Sequence, residues 1–424
     1  MRVAIIGGGL TGACAALELA ERGCSVDILE AGSTLVSKAS FWNEGKIHLG
    51  FVYAKDASGK TARTMIRGAL QFRPLMCRWI DSASIDAALS TPFHYAVHRD
   101  GMLQATAVRA HFARVKDLFE AERRLPGRSY LAPVEGPLWR RLDERQRNEV
   151  YEGTLIEDAY LTGERSIDPR RVAGEITKAV DRAVHIDALT GATVTAVSIG
   201  DKGRVTVCFT RDGHGHRETY DQVVNASWQN RLAIDATAGL NVSRRVIHRY
   251  KVALHETRAY AGPAMPSTTF IVGCFGDTVS FADRTYLSWY PSGHILTSTS
   301  LRPPAHPPDV VPFDEGAMIA STTRELSRLI PSHRRHLQDA ARRWLVGGGY
   351  ITAWGSTGIE DPTSRLHERY QVGITSHGPY HSVDTGKYTL APLLAHETCA
   401  RVLGSRTHRL PRTSLAVGRL RRAA

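Results

Sequence analysis

The chain has 424 residues, 42% hydrophobic and 23% charged, an ordinary globular composition long enough for two or three domains of roughly 150 residues each. No apolar run approaches the roughly 18 residues that a membrane-spanning helix needs, and no basic segment followed by an apolar stretch opens the chain, so a cytoplasmic protein is expected. Six scattered cysteines point to neither a disulfide framework nor a metal site, and of the net charge of +12, seven arginines lie after Glu397 and leave a body of about +5, so a solvated basic tail and a small-molecule substrate are expected rather than nucleic acid, with anionic substrates modestly favoured.

Arg2 to Ile6 reads as a buried strand. It runs into Gly7-Gly8-Gly9-Leu10-Thr11-Gly12, where Gly7, Gly9 and Gly12 have the spacing that allows a tight turn, close backbone approach to a pyrophosphate, and close packing of the next helix. That helix is predicted over Leu10 to Arg22, its free N–H groups and positive dipole end facing the turn. Ser25 to Leu29 is the second strand, and Glu30 at its tip is placed to accept hydrogen bonds from a ribose 2′-OH. Glycine is 37 of 424 residues, so the triplet alone is a weak signal; its weight comes from strand, turn, helix, strand and acid following in order within thirty residues. The pattern leaves NAD and FAD both open.

Residues 33 to 60, rich in glycine, polar and aromatic residues, suit a loop along a cofactor, and 61 to 81 a helix. Phe93 to His98 reads as a strand and 104 to 124 as an amphipathic helix. Asp168 can cap, and Pro169 can open, a helix reaching about Ala183. Val184 to Ala188, Gly191 to Ser198 and Arg204 to Thr210 read as short strands, then a Gly/His turn, then a central strand over Tyr220 to Ala226. Residues 244 to 300 alternate as antiparallel strands do, a proline-rich connection at 303 to 312 leads to helices up to about Leu345, and glycine-rich 347 to 358 leads to a final strand and helix. The expected architecture is α/β. A discontinuous Rossmann-like dinucleotide-binding domain (1–85, 150–235 and 345–405) faces a second, α+β domain on an antiparallel sheet (86–149 and 236–344), with a cleft between them and a basic tail at 406–424.

Over its whole length this layout resembles the D-amino-acid-oxidase-like superfamily of FAD-dependent oxidoreductases. The resemblance is carried by the N-terminal fingerprint through Glu30-Ala31-Gly32, by Ser37-Lys38-Ala39-Ser40, by Ile167-Asp168-Pro169-Arg170-Arg171, by Asp221 to Ala226, and by Asp384-Thr385-Gly386-Lys387-Tyr388-Thr389-Leu390-Ala391-Pro392. Asn43 to Tyr53 is most similar to the 2-hydroxyglutarate oxidase branch. Two stretches depart from the pattern: Ala226-Ser227-Trp228-Gln229-Asn230 stands where Ala-Gly-Ala-Trp is usual, and His377-Gly378-Pro379 where a Gly-His-Gly cluster is usual, so substrate identity is not inherited.

The resemblance implies FAD. Gly7, Gly9, Leu10, Thr11, Gly12, Glu30 and Ala31 would hold its adenosine end, Ala39 and Ser40 would lie along the pyrophosphate, and Val194 would present its backbone to the adenine. Gly45, Lys46 and His48 would pass beside the flavin ring, with Gly386, Lys387, Tyr388 and Thr389 at its far side. The absence of a second Gly-x-Gly-x-x-Gly after a strand argues against an NAD(P)H site. The implied activity is oxidation of a CH–NH or CH–OH bond of a small amine, amino acid or 2-hydroxy acid by hydride transfer, with the electron acceptor open between oxygen and another molecule. His48, Lys387 and Tyr53 are the candidate catalytic residues, His48 as proton acceptor or as a point of covalent flavin attachment; Tyr53, Trp289 and Tyr290 are candidate pocket residues, and Arg258 and Arg284 could clamp a carboxylate but read better as surface arginines. A tRNA-modifying flavoenzyme, supported by the basic tail alone, and a flavin-bearing assembly protein are the alternatives.

Overall fold

A computed structural model of the chain describes residues 1–201, 203–257, 262–339 and 344–404. Arg258 and the tail at 406–424 lie outside the described residues.

The opening strand, Arg2–Ile6, lies in the middle of a six-stranded sheet. Its neighbours are Ser25–Glu30 and Gln222–Asn225, both parallel to it, with Ile5 opposite Ile28 on one side and Val224 on the other. Ile186–Thr190 extends the sheet in parallel beyond Ser25–Glu30, and Tyr380–Asp384 does so beyond Gln222–Asn225. Gly373–His377 closes that edge antiparallel. A parallel sheet covered on both faces needs continuous apolar strands, and Val3, Ala4, Ile5 and Ile6 are all buried. The helix Leu10–Glu21 begins with no side-chain cap at Gly9 and no acid in its first turn. It packs against Ala391–Val402, the last of the described helices.

A second sheet of nine strands is mostly antiparallel. Its two longest strands are Val246–Glu256 and Trp344–Trp354, paired over eleven residues with Arg249 opposite Ile351 and Lys251 opposite Gly349. Phe93–His98 and Ser267–Ile271 make its one parallel pair. Ile156–Thr162 and Trp344–Trp354 pair within this sheet, although the expected divisions at 150 and 345 assign them to the nucleotide-binding unit.

Two segments differ from the expected pattern. Glycine-rich 347–358, expected as a connection, is largely strand. A Cβ on Gly347 would stand 2.4 Å from the Trp42 ring, one on Gly348 2.5 Å from the Lys251 carbonyl oxygen, and one on Gly349 2.8 Å from Ala39 Cα, so the glycines let a strand pass against other chain segments. The Gly/His turn after Thr210 is a hairpin whose second arm, His214–Tyr220, pairs with Val205–Arg211. That arm is exposed at most positions, and its polar residues hide the strand period. Elsewhere the helices Lys60–Met76, Ala105–Arg123 and Pro169–Arg182 fall close to their expected spans, the last capped by Asp168 accepting from Arg170 N at 2.9 Å. No described helix is long and apolar enough to cross a membrane.

Candidate active site

Between the two sheets runs a cavity of about 350 Å³, within the roughly 300–1,000 Å³ usual for small-molecule sites. Its first end is the glycine turn. Gly7 has φ +96°, and a Cβ there would stand 2.8 Å from Ser227 Cα, while a Cβ on Gly12 would stand 2.0 Å from the Gly7 carbonyl oxygen. Gly12 therefore lets the helix close onto the turn and does not itself line the cavity. A Cβ on Gly9 would fill the space before Ser40 Oγ, at 3.3 Å. Ser40 Oγ accepts from Leu10 N at 3.1 Å, which joins the cofactor loop to the first helical turn. Glu30 accepts from Gly8 N and Gly32 N, both at 2.7 Å and one on each carboxylate oxygen, which leaves further lone pairs at a largely buried anion. Ala31, Ala39 and Val194 line the same end.

The other end is built by the last segment of the chain. Thr385 Oγ1 lies 2.9 Å from Thr11 Oγ1, so the opening and closing motifs touch. Gly386 has φ +66°, and Gly386, Lys387 and Tyr388 line the cavity. Thr389 does not line it; its buried hydroxyl donates to the Lys46 carbonyl at 3.1 Å and accepts from His48 N at 3.0 Å, fixing the loop that carries both side chains. Gly45, with φ +65° and its Cβ direction 1.9 Å from the Ile167 carbonyl oxygen, shapes that loop in the same way without lining the cavity.

His48, Tyr53 and Tyr290 line this end. Trp289 does not: the strand Thr285–Trp289 ends there, Tyr290 opens a helical turn, and Trp289 packs on Phe275 with ring centroids 6.3 Å apart. Arg284 lies 3.2 Å from both Asp168 and Asp283 and is likewise no part of the lining. Trp228, in the departing Ala226 to Asn230 stretch, lines the cavity with φ +54° and donates from Nε1 to the Tyr350 carbonyl at 2.7 Å.

Around the expected Lys46, residues that sequence reasoning missed complete the site. Lys46 Nζ donates to Asp277 Oδ1 at 3.0 Å and to Thr269 Oγ1, and Lys251 Nζ lies 3.7 Å from Asp277 Oδ2. Burial opposes ionisation of Asp277, yet the two lysines hold its carboxyl well below the usual range. Arg249 donates from Nη1 to the Tyr290 hydroxyl at 2.6 Å, and its buried Nε has no partner. Arg369 donates from Nη1 to the Thr352 carbonyl at 2.9 Å. Glu164 accepts from Tyr95 and Leu49 N, and burial raises its carboxyl to about 7. Its Oε1 stands 3.9 Å from His48 Nδ1, too far for a hydrogen bond.

Burial, then the charges of Lys387, Lys46 and Arg369, hold the His48 imidazole well below its ordinary range, so it is neutral near pH 7. Lys387 is lowered to about 8, first by burial and then by Arg369 and the other lysines, against the attraction of Glu44. His48 Nδ1 and the Tyr53 hydroxyl are buried without a hydrogen-bond partner. Orphaned polar atoms at one end, and at the other a turn where side chains are sterically barred, fit a long cofactor with a diphosphate and a polar ring.

A crossover parallel sheet with this turn, facing an antiparallel sheet across a shared cavity, defines a two-part dinucleotide-dependent oxidoreductase. The family profile described as FAD dependent oxidoreductase, DAO, matches residues 2–398, and the chain belongs to that family. It is an FAD-dependent enzyme. Among solved structures it is similar to glycine oxidase from Geobacillus kaustophilus (16% identity, 96% of each chain covered, TM-score 0.67). L-alpha-glycerophosphate oxidase from Mycoplasma pneumoniae is similar at 14% identity over 97% of this chain and 96% of that one, TM-score 0.67. Iminodiacetate oxidase from Chelativorans sp. BNC1 is similar at 16% identity over 96% and 97%, TM-score 0.62. No curated protein sequence matches the chain.

Proposed function

We propose that the protein oxidises the CH–NH or CH–OH bond of a small carboxylic acid, an amino acid or a 2-hydroxy acid. The observation that carries this reading is Arg249, 2% exposed and lining the cavity, with an unpartnered Nε and its Nη1 on the Tyr290 hydroxyl. A buried guanidinium without an anion is costly, and its planar fork matches a carboxylate. The Asn43–Tyr53 string, similar to that of 2-hydroxyglutarate oxidases, keeps 2-hydroxy acids in the class. The neighbours named for glycine, glycerophosphate and iminodiacetate support oxidation at carbon bearing nitrogen or oxygen.

The FAD would lie with its adenosine end along Gly7 to Thr11, Glu30, Ala31 and Val194, its diphosphate by Ala39 and Ser40, and its ring beside Lys46, His48 and the Gly386 to Tyr388 turn; bound, it supplies the hydride acceptor. Arg249 and Tyr290 orient the substrate carboxylate. His48, neutral and with Nδ1 free, accepts the proton leaving the substrate heteroatom. Tyr53 offers its unpartnered hydroxyl to the substrate. Lys387 supplies positive potential where the ring gains electrons, and Gly386 gives the backbone its close approach.

Anaerobic bleaching of the FAD-loaded enzyme by a panel of amino and 2-hydroxy acids tests the reading. Bleaching by at least one acid is expected, with Arg249→Met raising KM roughly 100-fold. His48→Ala should keep FAD and slow bleaching; an unchanged rate removes His48 from the proton step. Failure of every acid in the panel sinks the proposed substrate class.

A further inference from the structure

Arg249 is not the only buried cation of this cavity that lacks a carboxylate. Arg369, 6% exposed, lines the same space. Its Nη1 donates to the carbonyl of Thr352. Thr352 lies opposite His248 on the neighbouring strand, and Ile351 lies opposite Arg249, so the group that holds Arg369 is one residue along from the strand position facing Arg249. Arg369 is lowered to about 10, first by burial and then by Arg249, so the two guanidinium charges oppose one another.

The nearby acids among the described residues form no ion pair with them, although Asp384 attracts Arg369 and Glu360 stands 3.9 Å from Cys274. Asp277 is held between Lys46 and Lys251. Glu44 faces Lys387. Asp384 Oδ2 accepts from Trp354 Nε1 at 2.7 Å and lies 3.4 Å from Arg231. Among the described residues neither Arg249 nor Arg369 makes an ion pair. Two buried guanidiniums sharing one cavity, neither of them ion-paired, carry a cost that two anionic groups offset more fully than one.

We propose that Arg369 forms a second anion subsite beside the Arg249–Tyr290 pair, and that the substrate is a dianion: an amino or 2-hydroxy acid whose chain carries a second carboxylate or a phosphate ester. This rests on the proposed oxidation of a carboxylic acid and names which acids it takes. The first anionic group meets Arg249 and Tyr290, and the second meets Arg369, whose planar fork suits carboxylate and phosphate alike.

Two measurements on the FAD-loaded enzyme separate the subsite from the reaction. In the first, glutarate, butyrate and propyl phosphate, none of which has a bond to oxidise in this way, are titrated and binding is read from the flavin absorbance. Glutarate is expected to bind roughly 10- to 100-fold more tightly than butyrate. Arg369→Met should abolish that preference while leaving butyrate binding unchanged; Arg369→Lys, which keeps the charge, should retain part of it. Equal affinity for glutarate and butyrate, or a loss in Arg369→Met that is the same for both, overturns the subsite. Propyl phosphate binding more tightly than butyrate and losing that advantage in Arg369→Met also supports the subsite, and its rank against glutarate tells phosphate from carboxylate.

In the second, anaerobic bleaching compares dicarboxylic amino and hydroxy acids, and phosphorylated hydroxy acids, with their side-chain amides. The dianions should have kcat/KM roughly 10- to 100-fold higher than the amides, and Arg369→Met should remove the difference. Bleaching without any preference for dianions overturns the proposal. Tight, Arg369-dependent glutarate binding with no bleaching by any acid upholds the subsite and overturns the oxidation instead.

Discussion

Replacing Glu30 by glutamine changes one atom and removes one charge, and the geometry of the glycine turn determines the cost. The carboxylate holds Gly8 N on one oxygen and Gly32 N on the other, both at 2.7 Å. A glutamine carbonyl keeps one of these bonds and turns its own NH₂ toward the other N–H. Hydrogen bonds to an ionised acceptor contribute about 1.5–3 kcal/mol each, and Gly8 is buried, so the apoprotein should lose about that much stability. The same charge is the one that would meet the cofactor ribose, so FAD affinity should fall roughly 10- to 100-fold, at 1.4 kcal/mol per factor of ten. Apoprotein prepared by stripping the flavin is titrated with FAD while flavin fluorescence is followed, and melted in parallel. Glu30→Ala, which leaves both N–H groups unmatched, should be worse in both. An E30Q protein that melts lower but binds FAD as tightly as the parent refutes the ribose role and leaves Glu30 a turn residue only.

Three further expectations concern single residues. Gly12→Ala forces a Cβ to within 2.0 Å of the Gly7 carbonyl oxygen, so at least about 1–3 kcal/mol of stability should be lost in urea melts, together with FAD binding; Gly174→Ala, where nothing lies within 4 Å in mid-helix, should gain about 0.4–1 kcal/mol. Glu164 has its folded-state pKa raised to about 7 from 4.5, so the native state holds more protons than the unfolded chain between those values. The contribution of this group to apoprotein stability should therefore fall by about 3 kcal/mol as pH rises from about 4.5 to 7, while the buried histidines, held below their ordinary range, act in the opposite sense. Urea melts of the parent and Glu164→Gln at pH 5 and pH 7.5 check the sign: the stability of the parent relative to the variant should be lower at pH 7.5 than at pH 5, and a difference that does not change with pH refutes the raised carboxyl.

The glycine turn, its helix and Glu30 were legible because their constraint is local: positive φ, small size and an acid at a strand tip are all encoded within thirty residues. The closing Gly386 segment became legible through family resemblance. Arg249, Lys251, Arg369 and Glu164 were not, since a charged residue in a strand or loop reads as a surface residue, and only long-range pairing buries it. Arg284 shows the converse, a conceivable clamp that two acids hold away from the cavity. Trp289 and Tyr290 read as a pair in the sequence, but a strand ending between them sends one side chain to the core and the other to the cavity. The strand Trp344–Trp354 escaped because three glycines weaken every local strand signal, and the tight passage that requires them involves Trp42, Ala39 and Lys251.

The hydroxyl contact between Thr11 and Thr385 spans 374 positions of sequence. The strand, turn and helix between residues 2 and 30 form a local unit, but the other end of the cavity exists only once residues 385–388 have been brought back against Thr11, so the cavity depends on long-range closure of the chain.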